Sequence, residues 1–259
     1  MQNDGQSDSL TTALARARDV TPVRLIRRGR SSSNAHIEEL PVLETLSERL
    51  ARNGIVAHDT NHPHSDIYRS LRARVLQRLD RTRARSIGVV SLQGGDDATV
   101  TAVNLAIAIA MDPTRSALLV DSNMRAPSVG DIFGIEPQYG LEDYLIGSAE
   151  LGECLVRPDF QAIGILPARQ ATPQSSELAA LPRMAGLHDA FLMSFGPAIV
   201  VHVLPPLLDM GDAIEMLPHI DGTLLVVRDG ASTEDEIEKG LATIGSERYL
   251  GTVLTGFLA

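Results

Sequence analysis

The sequence predicts an α/β protein with a mostly parallel, doubly wound sheet. Continuous runs of Val, Ile and Leu, such as 86–92, alternate along the chain with segments of helical periodicity, such as 98–110. Strands that are apolar throughout are typical of a sheet covered on both faces, and the intervening helices supply the crossovers that parallel strands require. Ligands of such sheets bind beyond the carboxyl ends of the strands. The loops after Ser91, Asp121 and His202 therefore form the candidate site.

The individual elements follow from the same periodicities. A helix is predicted over 65–83, where apolar side chains recur every fourth residue from Ile67 to Leu79. From Ser86 onward, short apolar runs bounded by Gly, Pro or charged residues predict strands, and longer periodic segments predict helices. The predicted strands lie within 86–92, 116–122, 160–168, 197–206, 221–230 and 249–257, and the helical segments within 98–110, 140–147 and 232–245.

Charge is unevenly distributed along the chain. Residues 1–85 contain 15 Arg against 10 Asp or Glu, whereas residues 86–259 contain 8 basic against 23 acidic residues. The arginine-rich stretch 24–34, RLIRRGRSSSN, is a candidate contact with acidic lipid head groups or an acidic partner; a solvated linker without a partner is the alternative. Nucleic-acid binding is not expected, because the acidic body would repel phosphate and no recognition motif accompanies the arginines.

The composition is that of a globular chain with one large domain. It has 259 residues, of which 44% are hydrophobic. We interpret 1–64 as a flexible basic N-terminal tail with a docking segment over 37–52, and 65–259 as the folded domain. No apolar run approaches the roughly 18 residues of a membrane helix, and a signal peptide's apolar core is missing, so a cytoplasmic location is expected. The only lysine is Lys239, and the single cysteine, Cys154, excludes an intrachain disulfide.

The stretch 89–110, VVSLQGGDDATVTAVNLAIAIA, has the layout of a strand, a phosphate-binding turn and a helix. Phosphate loops work because glycine lets backbone N–H groups approach the phosphates, a lysine neutralises their charge, and a Ser or Thr hydroxyl holds Mg²⁺. Here two aspartates, Asp96 and Asp97, stand where the phosphates would lie. The stretch is therefore either a nucleotide site or the remains of one.

Seven segments, in order, resemble one family. They are SDIYRSLRARV, VVSLQGGDDATVTAVNLAIAIA, ALLVDSNMRAPSVGDIFGI, GLEDYLIG, GILPA, VVHVLPPLLDMGDA and DGTLLVVRDGAST. Over about 65–257 the chain resembles the cytoplasmic domain of bacterial tyrosine kinases of capsule and exopolysaccharide synthesis, the CpsD/CapB and Wzc type. The most specific stretch, VDSNMRAPS…FG, is similar to that family's VDxDxRxPxxxxxFG signature. More distantly, the chain resembles partitioning and division-site ATPases. The resemblance implies a P-loop NTPase-like fold of the deviant Walker type.

The same resemblance shows where the phosphate loop departs from the family. The family's loop runs roughly Pro, Gly, Glu, Gly, Lys, Ser or Thr; here Asp97 replaces a glycine and Ala98 replaces the lysine. A carboxylate about 4 Å from a phosphate repels it by roughly 4 kcal/mol at an effective dielectric near 20, and a lost charge-assisted contact forfeits about 1.5–3 kcal/mol. We expect no tight ATP binding, and we expect the two aspartates to fill the anion site at the helix N-terminus. The matching positions are Gly94, Gly95, Asp96, Asp97, Ala98 and Thr99.

Three further segments lack the family's chemical groups. Asp121 matches the acidic residue of the second Walker motif, but the next acidic position is Asn123, whose neutral amide binds Mg²⁺ far less well. His202 lies where the Walker B aspartate is expected, and Thr255 lies where the family's base-contacting asparagine would be. Arg125 either binds an anion or pairs with an acidic neighbour. Structural alternatives are that Asp121 caps a nearby amide and that His202 is a satisfied buried histidine.

These positions form a vestigial nucleotide site in which we predict no catalytic residue. No metal site is expected, and no cofactor is expected either; Mg-ATP would bind only if the chain were an active kinase with a rearranged site. The family's acceptor tyrosines cluster in a C-terminal tail, whereas the tyrosines of this sequence are scattered. The four are Tyr68, Tyr139, Tyr144 and Tyr249.

The resemblance also implies residues for assembly. In the family, an E-x-x-R-x-x-R helix joins neighbouring subunits into a ring. The matching positions are Asp66, Arg69 and Arg72, at spacings i, i+3 and i+6. An exposed helix with an intrahelical Asp–Arg pair is the alternative. The family's kinases act with a membrane polysaccharide co-polymerase of the Wzz type, whose cytoplasmic tail docks on them. A homo-oligomer held at the inner membrane through such a partner is therefore expected.

Three functional hypotheses follow. The first is a pseudokinase, a non-catalytic scaffold or regulator of an exopolysaccharide, capsule or adhesin biosynthesis and export system. The second is an active, ATP-binding, autophosphorylating tyrosine kinase with a rearranged site. The third is a relic of a partitioning-like ATPase that marks a cell pole. The first is favoured because the chemical groups have been replaced at four separate segments.

Overall fold

The computed structural model describes most of the chain from residue 37 onward and a two-residue strand before it. The predicted basic stretch 24–34 lies outside the described residues, except for the backbone of 25–26. The described ranges are 25–26, 37–45, 47–82, 84–160, 162–209 and 211–256.

A sheet of six strands, each parallel to its neighbours, forms the centre of the described chain. Its spatial order is β6-β4-β7-β3-β8-β9, and a second, small sheet has the order β1-β2-β5. The prediction of a mostly parallel α/β sheet is confirmed. The strands are β1 (Leu25–Ile26), β2 (Val42–Leu43), β3 (Ser86–Ser91), β4 (Ser116–Asp121), β5 (Arg157–Pro158), β6 (Ile163–Leu166), β7 (Ala198–Val203), β8 (Gly222–Arg228) and β9 (Tyr249–Thr255).

Helices cover both faces of the large sheet, and two separate groups of buried apolar side chains mark the two faces. Two short 3₁₀ turns lie at Ile37–Glu39 and Leu217–His219. The α-helices are α1 (Ser47–Arg52), α2 (Ser65–Thr82), α3 (Asp97–Ala110), α4 (Val129–Phe133), α5 (Leu141–Ile146), α6 (Leu151–Cys154), α7 (Ser175–Ala179), α8 (Pro182–Ala185), α9 (Leu187–Phe195), α10 (Asp212–Met216) and α11 (Glu234–Ile244).

Helix α3 is the most deeply buried helix of the described chain. Twelve of its 14 residues are buried, and its side chains are mostly apolar around the whole circumference, as expected for a helix packed on all sides. It lies on β3, β4 and β7, and α2 packs over it through Val75, Leu76 and Leu79. One expected core residue of α2, Ile67, is instead 57% exposed, because it lies a full turn beyond the part of α2 that packs in the core.

The predicted boundary at residue 65 is too late. Leu43, Leu50 and Ile55 are fully buried in the same core as α3, so the segment from residue 37 onward belongs to the folded domain. It forms neither a flexible tail nor one docking helix. Pro41 interrupts the helical spacing, and the chain instead forms a 3₁₀ turn, strand β2 and helix α1 in succession.

No helix among the described residues has both the length and the apolar character needed to cross a membrane.

Asn104 ties this early segment to α3. Its fully buried side chain accepts hydrogen bonds through Oδ1 from the N–H groups of Val56 (2.8 Å) and Ala57 (2.9 Å). Its Nδ2 donates to the carbonyls of Gly54 (3.0 Å) and Val100 (2.9 Å). One amide thus satisfies four backbone groups inside the core.

Substitution of Asn104 by Ala should destabilise the fold. Two backbone N–H groups and a carbonyl of residues 54–57 would lose their partner, and an unsatisfied buried polar group costs about 1–3 kcal/mol. We expect Asn104→Ala to lower the free energy of unfolding by about 2–4 kcal/mol in urea titrations. Asn53→Ala is the control, since its Nδ2 makes one long bond, 3.4 Å to the carbonyl of Ile132. An equal loss in both variants would contradict the anchoring role of Asn104.

Candidate nucleotide site

The turn between β3 and α3 places the predicted phosphate loop at the carboxyl edge of the sheet. Gly95 has a φ of 139°, a backbone conformation that favours glycine. Thr99, in the first turn of α3, is buried, and its Oγ1 shares a hydrogen bond of 2.9 Å with the hydroxyl of Ser128. The hydroxyl that holds a metal ion in phosphate loops is therefore paired within the chain.

An ion pair determines where Asp97 points. Arg228, at the end of β8, donates from Nε to Oδ2 of Asp97 (2.6 Å) and from Nη2 to Oδ1 (2.8 Å). Thr255, at the end of β9, donates from Oγ1 to Oδ2 at 2.9 Å. The hydrogen bond from Arg228 is the main reason that the pKa of Asp97 is lowered. Because Arg228 neutralises Asp97, the expectation that Asp97 repels a phosphate at full strength is wrong. The ion pair of Asp97 and Arg228 instead stands at the position where a phosphate loop has a flexible glycine.

The expectation that Asp96 and Asp97 fill the anion site at the start of α3 is also wrong. Asp96 makes no capping hydrogen bond with its side chain, and Asp97 is turned toward β8. A different carboxylate reaches the loop: the N–H of Gly94 donates to Oδ2 of Asp209 at 2.8 Å. Asp209 follows β7 in a segment that continues along the end of β3 through backbone hydrogen bonds. The loop therefore donates to an acidic group of its own chain.

A cavity of about 240 Å³ lies beside this loop. Its wall includes Ala98, which stands where the family has lysine and is 3% exposed. The charged side chains of the lining are Asp96, Asp209, Asp212 and Arg125. Three carboxylates thus face one guanidinium. A polyphosphate entering this cavity would meet an excess of negative charge.

Asp121 ends β4 and is completely buried. Its Oδ2 accepts hydrogen bonds from the N–H groups of Ser128 and Val129, both at 2.9 Å, at the start of α4. Its Oδ1 has no partner among the described residues. Burial raises the pKa of Asp121 to about 7, although the hydrogen bonds from Val129 and Ser128 oppose the change. This arrangement agrees with the structural alternative for Asp121, in which its carboxyl group caps backbone amides.

Arg125 pairs with an acidic neighbour. Its Nε donates to Oδ2 of Asp212 at 2.6 Å and its Nη2 to Oδ1 at 3.1 Å. The hydroxyls of Ser175 and Ser176 also donate to this carboxylate. The hydrogen bond from Arg125 is the main cause that lowers the pKa of Asp212 to about 2. Asp212 thus joins α10, α7 and the loop after β4 across the mouth of the cavity.

His202 and Asn123 supply neutral groups to this edge. His202, in β7, is buried, and its Nδ1 shares a hydrogen bond of 2.8 Å with the hydroxyl of Ser122. Burial lowers the pKa of His202 to about 3, so the imidazole is uncharged at neutral pH. Asn123 lines the cavity, and its Oδ1 accepts from the N–H of Ala126 at 3.4 Å. Neither residue brings a carboxylate to the site.

The predicted assembly residues separate into two contacts. Arg69 donates from Nη1 to Oδ1 of Asp66 at 2.5 Å, although Asp66 remains 78% exposed. Arg72 turns the other way and donates to the carbonyl of Ala108 in α3 at 2.9 Å. The structure therefore brings Asp66 and Arg69 together as an intrahelical pair and places Arg72 against the core.

The residues of this edge do not fit a nucleotide held in the manner of a phosphate loop. The hydroxyl of Thr99, the Oδ2 of Asp121 and the N–H of Gly94 already have partners within the chain. The lysine is replaced by Ala98, and the nearest guanidinium to the loop, that of Arg228, is bound to Asp97. These groups of the candidate site are therefore bound to one another within the chain.

Three residues that decide this geometry were not identified from the sequence. Arg228 ends a predicted strand, so a charged residue at the carboxyl edge could have pointed to it. Asp209 and Asp212 lie in the segment VVHVLPPLLDMGDA, where two acidic residues follow the strand. Their partners, however, come from loops distant in sequence, and no periodicity reveals such pairs.

Comparisons with known proteins find similarity of the chain to bacterial tyrosine-protein kinases. No family model matches it. It is 26% identical to the tyrosine-protein kinase YwqD of Bacillus subtilis over 212 residues. This alignment covers 80% of this chain and 87% of that protein. It is 30% identical over 186 residues to the succinoglycan biosynthesis transport protein ExoP of Rhizobium meliloti, covering 71% of this chain but 23% of that longer protein. The crystal structure of the chimerical protein CapA2B2 superposes with a TM-score of 0.71 at 25% identity, covering 82% of this chain and 91% of that one.

The buried carboxyl group of Asp121 predicts an unusual pH dependence. A carboxyl whose pKa is raised in the folded chain stabilises the fold below its ordinary pKa, near 4, and this contribution is lost as the pH rises through about 7. In Asp121→Asn the amide oxygen still accepts from Ser128 and Val129, but no charge is buried. Because a tenfold change in a protonation equilibrium corresponds to about 1.4 kcal/mol, we expect Asp121→Asn to gain at least about 2 kcal/mol relative to the unsubstituted chain between pH 4 and pH 8.

Urea unfolding at a series of pH values measures this difference. Asp229→Asn, at an exposed position after β8, serves as the control and should show no such gain. A relative loss of stability in Asp121→Asn at high pH would show instead that the ionised carboxylate is stabilising.

Proposed function

We propose that this chain, which belongs to the family of bacterial tyrosine-protein kinases, is a non-catalytic member that serves as a scaffold in an exopolysaccharide, capsule or adhesin export system. The observation that carries the proposal is the contact between Asp97 and Arg228 at the phosphate loop. A loop that binds ATP needs a glycine and a lysine at positions 97 and 98. Here an ion pair and an alanine occupy them.

The charge balance of the cavity supports the same conclusion. Its lining holds Asp96, Asp209 and Asp212, and its one arginine, Arg125, is already paired with Asp212. The net contribution to a bound triphosphate is repulsive, whereas a micromolar complex requires about 8 kcal/mol of favourable free energy. The catalytic metal would also lack its acidic ligands, because His202 and Asn123 are neutral.

A relative of this chain supports a scaffold role in polysaccharide export. The relative ExoP is named as a succinoglycan biosynthesis transport protein, which motivates the polysaccharide context. We infer that the partner is the cytoplasmic tail of a membrane polysaccharide co-polymerase of the Wzz type. Such a partner would hold the chain peripherally at the inner membrane. Neither nucleotide nor metal is required for this role.

One observation favours the second candidate, an active kinase with a rearranged site. The guanidinium of Arg228 lies beside the phosphate loop, where an arginine from another strand could substitute for the missing lysine. To do so it would have to release Asp97, which would then lie unpaired next to the phosphates. We therefore rank this candidate below the scaffold.

Rebuilding the loop tests the proposal. The unsubstituted chain should show no stabilisation by MgATP in a thermal melt. Asp97→Gly combined with Ala98→Lys restores the glycine and the lysine. It also raises the local charge by two units, which offsets the excess of carboxylates over guanidinium groups in the cavity lining, so we expect it to bind MgATP. Saturation about 100-fold above Kd adds about 2.7 kcal/mol, which for a chain of this size raises Tm by about 5 °C or more.

The control exchanges the same residue types elsewhere. Asp159→Gly with Ala185→Lys changes the net charge equally at two exposed positions outside the cavity and should leave the melt insensitive to MgATP. A clear MgATP shift in the unsubstituted chain, or incorporation of labelled phosphate at a substantial rate, would overturn the non-catalytic assignment and favour the rearranged kinase.

The proposed homo-oligomer is tested at α2. Asp66 and Arg69 are exposed or half-buried and pair only with each other and with the carbonyl of Thr60 in the described chain, so their loss should hardly affect folding. If this pair also contacts a neighbouring subunit, Asp66→Ala with Arg69→Ala should shift the sedimentation profile toward monomer without a change in Tm larger than about 3 °C. Lys239→Ala with Asp235→Ala, which removes another exposed intrahelical pair, is the control. Identical profiles for all three proteins would place the interface elsewhere.

A further inference from the structure

One exposed side of α2 carries three arginines. Arg74, Arg78 and Arg81 follow one another at i, i+4 and i+7, which puts their side chains on one side of the helix. All three are exposed, while Val75 and Leu79 on the opposite side are buried in the core. At 1.5 Å per residue the row is about 10 Å long. We name these three residues the arginine face.

The acidic groups of α2 do not balance this face. The helix contains two aspartates, and both have arginine partners away from it: Asp66 pairs with Arg69, and Asp80 pairs with Arg115 at 3.1 Å. Among the described residues, no carboxylate forms an ion pair with any member of the arginine face. Arg78 donates to the carbonyl of Leu250 in β9, which fixes its position without cancelling its charge.

An apolar side chain extends the row. Ile67, 57% exposed, is seven residues before Arg74 and fourteen before Arg81, so the three lie nearly in line along the helix. Basic residues near an anionic leaflet are attracted to its head groups, and an exposed aliphatic side chain beside them can enter the polar boundary of the bilayer. We propose that the arginine face, with Ile67, binds the anionic head groups of a phospholipid bilayer.

Two features favour a bilayer over a single acidic ligand. The guanidinium groups form a row along an exposed helix instead of converging on one point, and a row matches an array of charged head groups. Residues 86–259 contain 8 basic against 23 acidic residues, so an anionic surface would repel the acidic body of the chain and accept this face. The contact would therefore orient the molecule. The inference does not rest on the proposed function, because the arginine face is separate from the cavity.

Co-sedimentation of the full chain with lipid vesicles tests the proposal. We expect binding to phosphatidylcholine vesicles that contain about one third phosphatidylglycerol, no binding to pure phosphatidylcholine, and release as salt shortens the Debye length from about 10 Å at 0.1 M to about 3 Å at 1 M. Arg74→Gln with Arg81→Gln should weaken the partition about 25-fold, since each basic residue near such a surface contributes roughly fivefold.

The matched control removes two positive charges at other exposed positions. Arg52→Gln with Lys239→Gln should bind vesicles within about twofold of the unsubstituted chain. Urea unfolding of each variant verifies that it folds. Equal weakening in both double variants, no binding by the unsubstituted chain, or equal binding to both vesicle types would overturn the proposal. So would loss of self-association in Arg74→Gln with Arg81→Gln without vesicle binding by the unsubstituted chain, which would assign the face to a second copy.

Discussion

The burial of α3 is the constraint on which the rest of the described structure depends. Only Asp97 and Val100 of this helix are not buried, so its axis is fixed by the sheet beneath and by α2 above. Asn104 then attaches the segment before α2 to the same helix. Because α3 cannot shift, its first residue, Asp97, must lie beside the ends of β8 and β9. The chemistry at the start of α3 is thus set by packing far from it.

At the carboxyl edge, several polar groups that could serve a ligand have a partner within the described chain. Asp209 receives the N–H of the loop, Asp212 collects Arg125 and two hydroxyls, and the fully buried Asp121 caps α4. The pairs that involve the buried Asp121 and Asp212 add modest stability, but leaving either carboxyl group unpaired would be costly. The edge is held together as a network, in which the loops that normally receive a ligand bind each other.

The fold could be predicted from the sequence because it depends on local patterns. Apolar runs and helical periodicity define the strands and helices from residue 65 onward, and their alternation implies a parallel sheet. The structure of the segment before residue 65 does not follow from its sequence, because Pro41 breaks its periodicity and the burial of Leu50 and Ile55 depends on contacts with α3. The contacts of Asn104 cannot be predicted from the sequence either, because a single amide in an apolar helix forms no periodic pattern.

The candidate site, like the fold, can be predicted from the sequence only in part. The positions of the phosphate loop follow from the order of glycines, aspartates and apolar residues around it. What Asp97 does there depends on Arg228, 131 residues later in the chain, and on Thr255 after that. A sequence shows which groups were replaced. The partners of the replacing residues depend on the folded edge of the sheet, where strands distant in sequence end side by side.

The contact between Asp97 and Arg228 also bears on the evolutionary history of the chain. A return to glycine at position 97 alone would leave the guanidinium of Arg228 without its carboxylate beside an empty loop. A return to lysine at position 98 alone would add a cation that Asp97 captures before any phosphate does. Under the proposed non-catalytic role, neither single change rebuilds the phosphate loop, because that loop needs the glycine and the lysine together. Recovery of nucleotide binding would therefore require both changes at once.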